Sequence, residues 1–354
     1  MENDITIGLD LGNRKHAVCA LDRAGKVLFR TEVANTPEAL EAFFRQHAGA
    51  TVAMETGLCC RWISALSRKC GCETVVGNAR KLAAIWTSRR KNDENDALMI
   101  ARLARADREL FHPVALRDDE RHDLVQLLEL REIAVAQRTR IVNSVRGLCK
   151  ARGVFVRKCG TESFASVAKD EIPEREMWKF KGMLGLLEEV LATIKEYDAL
   201  IHSYSQAHFR KETELLQTIS GVGEVTSCAF VAHIPCARTF GRARDAGCYF
   251  GLTPGQDQSG DGDAPKRITK TGNEMVRWLA VNCANYILRP SSPDSSLKRF
   301  GERICARGGK VARRKAKVAV ARKLVVVMLA MLKSGKPYDD GRVATFAKEA
   351  EVAI

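Results

Sequence analysis

Apolar and small or polar residues alternate over 5–9 (Ile5, Ile7 and Leu9 around Thr6 and Gly8), which predicts a strand ending at Asp10. A turn over 11–15 leads to a second strand, 16–21, and Asp22-Arg23-Ala24-Gly25 is a hairpin turn into a third, 26–33. Asn35-Thr36-Pro37-Glu38 carries helix-start chemistry, with Leu40, Phe43 and Phe44 as the apolar face that follows. Val52-Ala53-Met54 reads as a short buried strand with Glu55 at its end. Thr56-Gly57 opens another helix, with Trp62, Ile63 and Leu66 inward, and 73–76 is a further strand. Three strands in hairpin order, then alternating helix and strand, is the order of a ribonuclease-H-like layer.

Beyond Leu116 the period lengthens. Leu124, Leu127, Leu128, Ile133, Ala134, Ile141, Val142, Val145 and Leu148 predict one long amphipathic helix to about Ala151, with Arg131, Arg138, Arg140, Arg146, Lys150 and Arg152 on its polar side. Residues 153–178 are weakly periodic and read as irregular. A second long helix is predicted over 182–214, with Leu184, Leu187, Leu191, Ile194 and Ile201 inward. Such a pair makes an antiparallel arm or a dimerising coiled coil, or simply a helical linker domain. Ile219-Ser220-Gly221-Val222-Gly223 then has the form of a helix–hairpin–helix turn. Gly221 and Gly223 allow close backbone approach, and amides at the following helix start can face a DNA phosphate. A tight helix–helix turn without a ligand has the same spacing. Further helices are predicted from about Asn273 and over 311–332. The fold class is therefore α/β followed by mainly α. The expected division is an α/β domain over 1–112, a helical arm over 113–214 and a mainly helical domain over 215–354.

Composition narrows the partners. With 354 residues and 45% hydrophobic content the chain can bury two or three cores. Its charge of +14 points to a polyanion, nucleic acid before an anionic membrane surface. Aromatics at 6% argue against base-stacking platforms as the main binding device. The charge is concentrated: Lys298 to Lys323 holds eleven Lys or Arg against one acid, Glu302, and includes Arg313, Arg314, Lys315 and Lys317. Arg89-Arg90-Lys91, Arg267 and Lys270 are further candidates for phosphate contact. None of the twelve cysteines forms a Cys-x-x-Cys zinc spacing. No signal peptide and no run of eighteen apolar residues is found, so a cytoplasmic, nucleoid-associated bacterial protein without membrane contact is expected.

Four carboxylates stand where strand ends and a helix start would meet: Asp10, Glu55, Asp93 and Asp96. Asp93 and Asp96 are three apart and share a helix face. They also read as an ordinary acidic helix start, with Asp93 as N-cap and Asp96 near the positive dipole end. Converging, the four would hold two hard cations able to stabilise attacking and leaving oxygens at a phosphodiester. A competing reading is the first phosphate loop of actin-like ATPases and sugar kinases, from Gly8-Leu9-Asp10-Leu11-Gly12 and Asp22-Arg23-Ala24-Gly25. It lacks a second phosphate loop and a glycine-rich adenosine site in convincing context. Ser259-Gly260 lies in a polar loop and on spacing alone reads as a turn.

Taken in order, these pieces resemble the transposases of the insertion sequence 110 family, which includes Piv-like DNA invertases. Ile7-Gly8-Leu9-Asp10 with Met54-Glu55-Thr56-Gly57 is one block, and Lys91-Asn92-Asp93-Glu94-Asn95-Asp96-Ala97 a second. The third runs from Ile219-Ser220-Gly221-Val222-Gly223 through Phe250-Gly251-Leu252-Thr253-Pro254 and Gln258-Ser259-Gly260 to Ile268-Thr269-Lys270-Thr271-Gly272-Asn273. The resemblance implies a RuvC-like domain whose DEDD tetrad, here Asp10, Glu55, Asp93 and Asp96, binds Mg²⁺, with Mn²⁺ able to substitute. It implies a helical transposase domain with a nucleophilic serine, aligned with Ser259. It implies donor and target DNA as substrates, a structured noncoding guide RNA (the bridge RNA), and a tetramer built as a dimer of dimers, in which one site joins the metal domain of one subunit to the serine domain of another. Base pairing in a guide would read the sequence while the protein holds backbones. Two features depart from the family pattern. Gly57 is followed by Leu58-Cys59-Cys60 where an aromatic is expected, and 153–178 matches nothing in it. Metal-only junction resolvases and non-enzymatic RNA-binding proteins are the alternatives from other classes.

Overall fold

Strand β1 (Thr6–Asp10) is the centre of a five-stranded sheet in the computed structural model, which describes residues 5–79, 81–82, 93–255 and 267–341. The other strands are β2 (Lys15–Leu21), β3 (Val27–Ala34), β4 (Thr51–Glu55) and β5 (Glu73–Gly77), in the order β3-β2-β1-β4-β5. The first three are antiparallel neighbours, whereas β1–β4 and β4–β5 are parallel. The β2–β3 turn forms because Asp22 Oδ1 accepts from the amides of Ala24 and Lys26 at 2.9 and 2.8 Å, satisfying a tight loop locally.

The two faces of this sheet are read from the alternation along each strand. Ile7, Leu9, Val18, Ala20, Val52 and Met54 pack beneath α1 (Pro37–Gln46) and α2 (Cys60–Lys69), with Leu40, Phe44 and Ile63 filling the layer. Thr36 caps α1, its Oγ1 accepting from Ala39 N, and Pro37 occupies the first turn, where no amide partner is lost. Helix α2 begins at Cys60, later than the Thr56-Gly57 start expected from sequence. On the other face, Ala17, Cys19 and Leu21 meet Ala97, Leu98 and Ala101 of α3 (Asp93–Ala106), and Ala53 and Val75 meet Ile100 and Ala104. Here small residues set the distance. A Cβ on Gly8 would lie 2.1 Å from Ala97 O and 2.6 Å from Ala101 N, so α3 rests directly on the β1 backbone.

The chain divides into two compact units, Met1–Leu116 and Arg117–Ile354. The second is helical. Helices α4 (Asp119–Ala151) and α7 (Lys181–His208) pack along each other and are tied by Arg131 Nε and Asp198 Oδ1 at 2.6 Å. The stretch 153–178, expected to be irregular, contains α5 (Phe164–Glu171) and α6 (Glu174–Met177). Phe164, Ala165 and Ala168 join Ile141, Val145, Leu184 and Leu187 in a separate small core, and the Arg146 guanidinium lies 4.8 Å from the Phe164 ring centre. Its short elements lack a sustained period because their burial is set by the helices they cover. The helix predicted over 182–214 is likewise two elements. It breaks at Phe209, whose ring enters the main core, and continues as α8 (Arg210–Gln217).

That main core gathers Leu124 and Leu128 of α4 with α9 (Glu224–His233), α10 (Asp245–Tyr249), α11 (Glu274–Ile287), α12 (Ser296–Cys305) and α13 (Gly309–Ser334). Helix α13 changes character along its length. Arg313, Arg314, Lys315 and Lys317 are exposed, whereas Leu324, Val325, Val327, Met328 and Leu329 are buried. A helix apolar on all sides must sit inside a core, and this half does. Among the described residues no helix is long and apolar enough to cross a membrane. The twelve cysteines are free thiols.

Two tests follow from this packing. Gly8→Ala should lower the stability of the sheet unit by about 2 kcal/mol or more through overpacking against α3, read as faster hydrogen exchange of the β1 and β4 amides. The second concerns His233, 3% exposed, whose Nδ1 is 2.8 Å from Ala229 O. Burial pushes its pKa from 6.5 down to about 4. The unfolded chain therefore binds this proton at higher pH than the folded one, and stability must fall as pH drops from 6.5 towards 4. The loss between neutrality and about pH 4.5 should be roughly 2–3 kcal/mol, measured by urea unfolding and flattened in His233→Gln.

Candidate active site

The sheet edge at the ends of β1 and β4 brings the first two predicted acids together. The parallel register pairs Leu9 with Met54, so Asp10 and Glu55 follow as adjacent positions on neighbouring strands, about 4.8 Å apart in a sheet. Pleating gives both the same side as Gly8 and Ala53, the α3 side. Both are half-buried.

Helix α3 runs opposite to β1. Its last turn reaches the β2–β3 hairpin, where Arg105 donates to Arg23 O at 2.5 Å, and its middle covers Gly8. Its first turn therefore lies over the carboxyl ends of β1 and β4. Position 93 is one turn before Ala97, on the stripe above β1. Asp96, half-buried, is one turn before Ile100, on the stripe above Ala53 of β4. The Asp93 side chain lies outside the described residues, as do Arg89, Arg90, Lys91 and Ser259. Among the described residues no three His, Cys, Asp or Glu side chains stand close enough to hold an ion. The chemistry of the donors is nonetheless specific. Carboxylate oxygens on two adjoining strand ends, with more at a helix start above them, suit a hard divalent cation and not a soft one.

Sequence reasoning missed two residues behind this edge. His16 and Asn35 hold the turn that follows Asp10, on the α1–α2 side of the sheet. Burial lowers the His16 pKa, against an opposing hydrogen-bond effect from Asn35. Asn35 reads in sequence only as part of a helix start. A histidine in phase with Val18 and Ala20, in a strand otherwise apolar on that side, was the available clue.

In the second unit, Ile219 and Val222 are buried on either side of a glycine at φ 92°, Gly221, and a Cβ there would come within 2.6 Å of the Tyr286 ring. The turn between α8 and α9 thus needs glycine at that position for packing as well as backbone shape. Gly223 is the exposed N-cap of α9 and gives no side-chain cap, while Glu224 in the first turn is 2.7 Å from His202 Nδ1. Farther on, Pro254 and Ile268 form an antiparallel bridge, and Gly255 N donates to Arg267 O at 3.0 Å. This bridge pairs the residues that flank positions 256–266 in sequence, the stretch that contains Ser259. Arg267 and Lys270 are exposed beside it, and Lys270 has the left-handed φ of 55°. Arg277 Nη1 donates to Phe250 O and Thr271 O, both at 3.2 Å, fixing the segments that lead to the bridge.

Comparison with known proteins gives a family for both units. Residues 7–151 match a family model described as a transposase, of the IS110 DEDD type, and residues 213–300 match the model described as "Transposase IS116/IS110/IS902 family". The first span contains Asp10, Glu55, Asp93 and Asp96, and the second contains Gly221, Gly223 and Ser259. The chain is 26% identical over 292 residues to the transposase for insertion sequence element IS1111A of Coxiella burnetii, covering 80% of this chain and 78% of that protein. It is 27% identical over 289 residues to the "Probable family 20 transposase" of Pseudomonas aeruginosa, covering 80% and 84%. Identity is 24% over 299 residues with the transposase for insertion sequence element IS1328 of Yersinia enterocolitica, covering 82% and 85%. A DEDD family suggests a divalent metal, and transposition implies DNA as substrate. Two family matches in chain order, together with acids at adjoining strand ends, place this chain in the IS110 family of insertion-element transposases.

Proposed function

We propose that this transposase is an RNA-guided, site-specific DNA recombinase that cuts and rejoins strands through a phosphoserine. The observation that carries the reading is the placement of Asp10 beside Glu55 beneath the α3 turn that holds positions 93 and 96. Its sheet, three antiparallel strands continued by two parallel ones, supports a RuvC-like domain over 1–112. The α4–α7 pair supports an arm over 113–214 that contacts RNA and other subunits in a tetramer, a dimer of dimers. The domain over 215–354 would supply Ser259, the helix–hairpin–helix turn and the basic helix. The protein would act in the bacterial cytoplasm, at the nucleoid.

Asp10, Glu55, Asp93 and Asp96 would hold Mg²⁺, or Mn²⁺ in its place. When bound, the metal supplies charge stabilisation at the phosphoryl oxygens and favours ionised attacking and leaving oxygens. Ser259 Oγ attacks phosphorus, the bond to the 3′ oxygen breaks, and that oxygen keeps the electron pair and takes a proton. The products are a 5′-phosphoserine and a free 3′-OH. Attack by a 3′-OH on the phosphoserine reverses the exchange and restores serine, so rejoining needs no ATP. Arg267, Lys270, Gly221, Gly223 and the Arg89-Arg90-Lys91 run would contact nucleic-acid backbones, with guide pairing reading sequence.

The chemistry separates from its nearest rival by one assay. With donor and target DNA, copurified RNA and Mg²⁺, Asp10→Asn and Glu55→Gln should cut at least roughly 100-fold more slowly. Ser259→Ala should lose the denaturant-stable protein–DNA adduct and all joining. Joining by Ser259→Ala at the wild-type rate would disprove the serine step, and cleavage to free ends without adduct would identify a metal-only nuclease. A single discrete RNA stripped from the purified protein supports guidance, whereas random cellular RNA rejects it. Replacing Arg313, Arg314, Lys315 and Lys317 with alanine should reduce the log–log salt slope of duplex DNA binding by roughly 3 to 4, at about 0.9 per phosphate contact.

A further inference from the structure

We propose that Asn35 and His16 are positioning residues that lock together the two chain segments leaving Asp10 and Glu55, and so set the spacing of those carboxylates. The proposal rests on the metal-site reading above. Directly after Asp10 the chain turns back within residues 11–14. Gly12 N donates to His16 Nδ1 at 3.2 Å, and Asn35 Nδ2 lies 3.0 Å from Asn13 O and 3.4 Å from Gly12 O. Asn35 N donates to Arg14 O at 2.9 Å. The same Asn35 amide is 3.8 Å from Cys59 Sγ, the N-cap of α2, where the chain from Glu55 enters that helix. One side chain therefore touches both exits. The exits also run close to each other, since a Cβ built on Gly57 would lie 3.8 Å from Leu11 Cδ1.

The arrangement fixes hydrogens as well as heavy atoms. Accepting from Gly12 leaves Nδ1 without a proton, so neutral His16 carries its proton on Nε2. His16 is fully buried, and Nε2 and Asn35 Oδ1 are enclosed atoms that meet no hydrogen-bond partner at normal geometry. They are the natural donor and acceptor for one another, and the Asn35 amide acts on the ring as a hydrogen-bonding neighbour. Burying a polar pair is costly unless its groups hydrogen-bond, and such bonds also fix the geometry of the chain around them. Here the geometry is that of the turn beneath a candidate ligand, the usual place for residues that orient metal-binding carboxylates.

The test uses the full chain and Mn²⁺ alone. The thermal unfolding midpoint is followed during a Mn²⁺ titration, since ion binding to the folded state raises it. Asn35→Ala and His16→Leu should need roughly 10-fold more Mn²⁺ for half the stabilisation, with the full shift recovered at saturation. His16→Asn, which returns an acceptor opposite Gly12 N, should titrate close to wild type. A general packing defect would instead lower the ion-free midpoint and leave the half-saturation point in place. Equal half-saturation for wild type, Asn35→Ala and His16→Leu would overturn the positioning role. If His16→Leu fails to fold, Asn35→Ala against wild type decides the same question. Asp10→Asn stabilised by Mn²⁺ like wild type would overturn the metal reading itself.

Discussion

The sheet unit depends on a helix resting on a residue without a side chain. Any Cβ at position 8 would enter the space held by Ala97 O and the Ala101 backbone. The small residues Ala97 and Ala101 complete the approach from the helix side. Close packing of this kind sets both the height and the direction of α3, and interiors transmit a displacement of even a methyl group. The position of the acidic helix start over the strand ends is therefore a consequence of core packing, not of attraction to a charge.

Electrostatics alone would oppose that arrangement. Asp10 and Glu55 are half-buried on adjoining strands, and a further acid, Asp96, lies in the helix turn above. Like charges so placed destabilise a fold unless each is offset by a hydrogen bond, an ion pair or a cation. The network on the opposite side of the sheet has the complementary character. His16 is buried with its ring held below the ordinary pKa by loss of water, and its neutral form is the one that can accept from Gly12. Behind the edge, the turn after Asp10 is held by neutral hydrogen bonds from Gly12 to His16 and from Asn35 to Asn13.

The helical unit solves a different problem in one element. Helix α13 carries exposed Arg313, Arg314, Lys315 and Lys317 in its first half and buried Leu324, Val325, Val327, Met328 and Leu329 in its second. A solvated, mobile basic segment would lose conformational entropy on meeting a polyanion. A basic turn continuous with a core helix is already ordered.

Much of this was legible in residue order. Alternation and hairpin chemistry determined the five strands to within a residue or two, and Asp10 and Glu55 at strand ends were marked by where the apolar runs stop. Helix starts at Thr36 and Asn273 were equally plain, since capping is local chemistry. What local patterns could not contain was anything set by a distant partner. The break at Phe209 exists because its ring fills a core built from other helices, and α5 is ordered by the α4 and α7 residues it covers. Asn35 looked like one more helix-start residue, yet its amide meets groups 22 to 24 positions away. Sequence by itself determined which segments are strands and helices and which carry charge, because those follow from neighbours along the chain. Only the tertiary structure decided which acids share an edge and what holds them there, because register and close packing join residues that the chain keeps far apart.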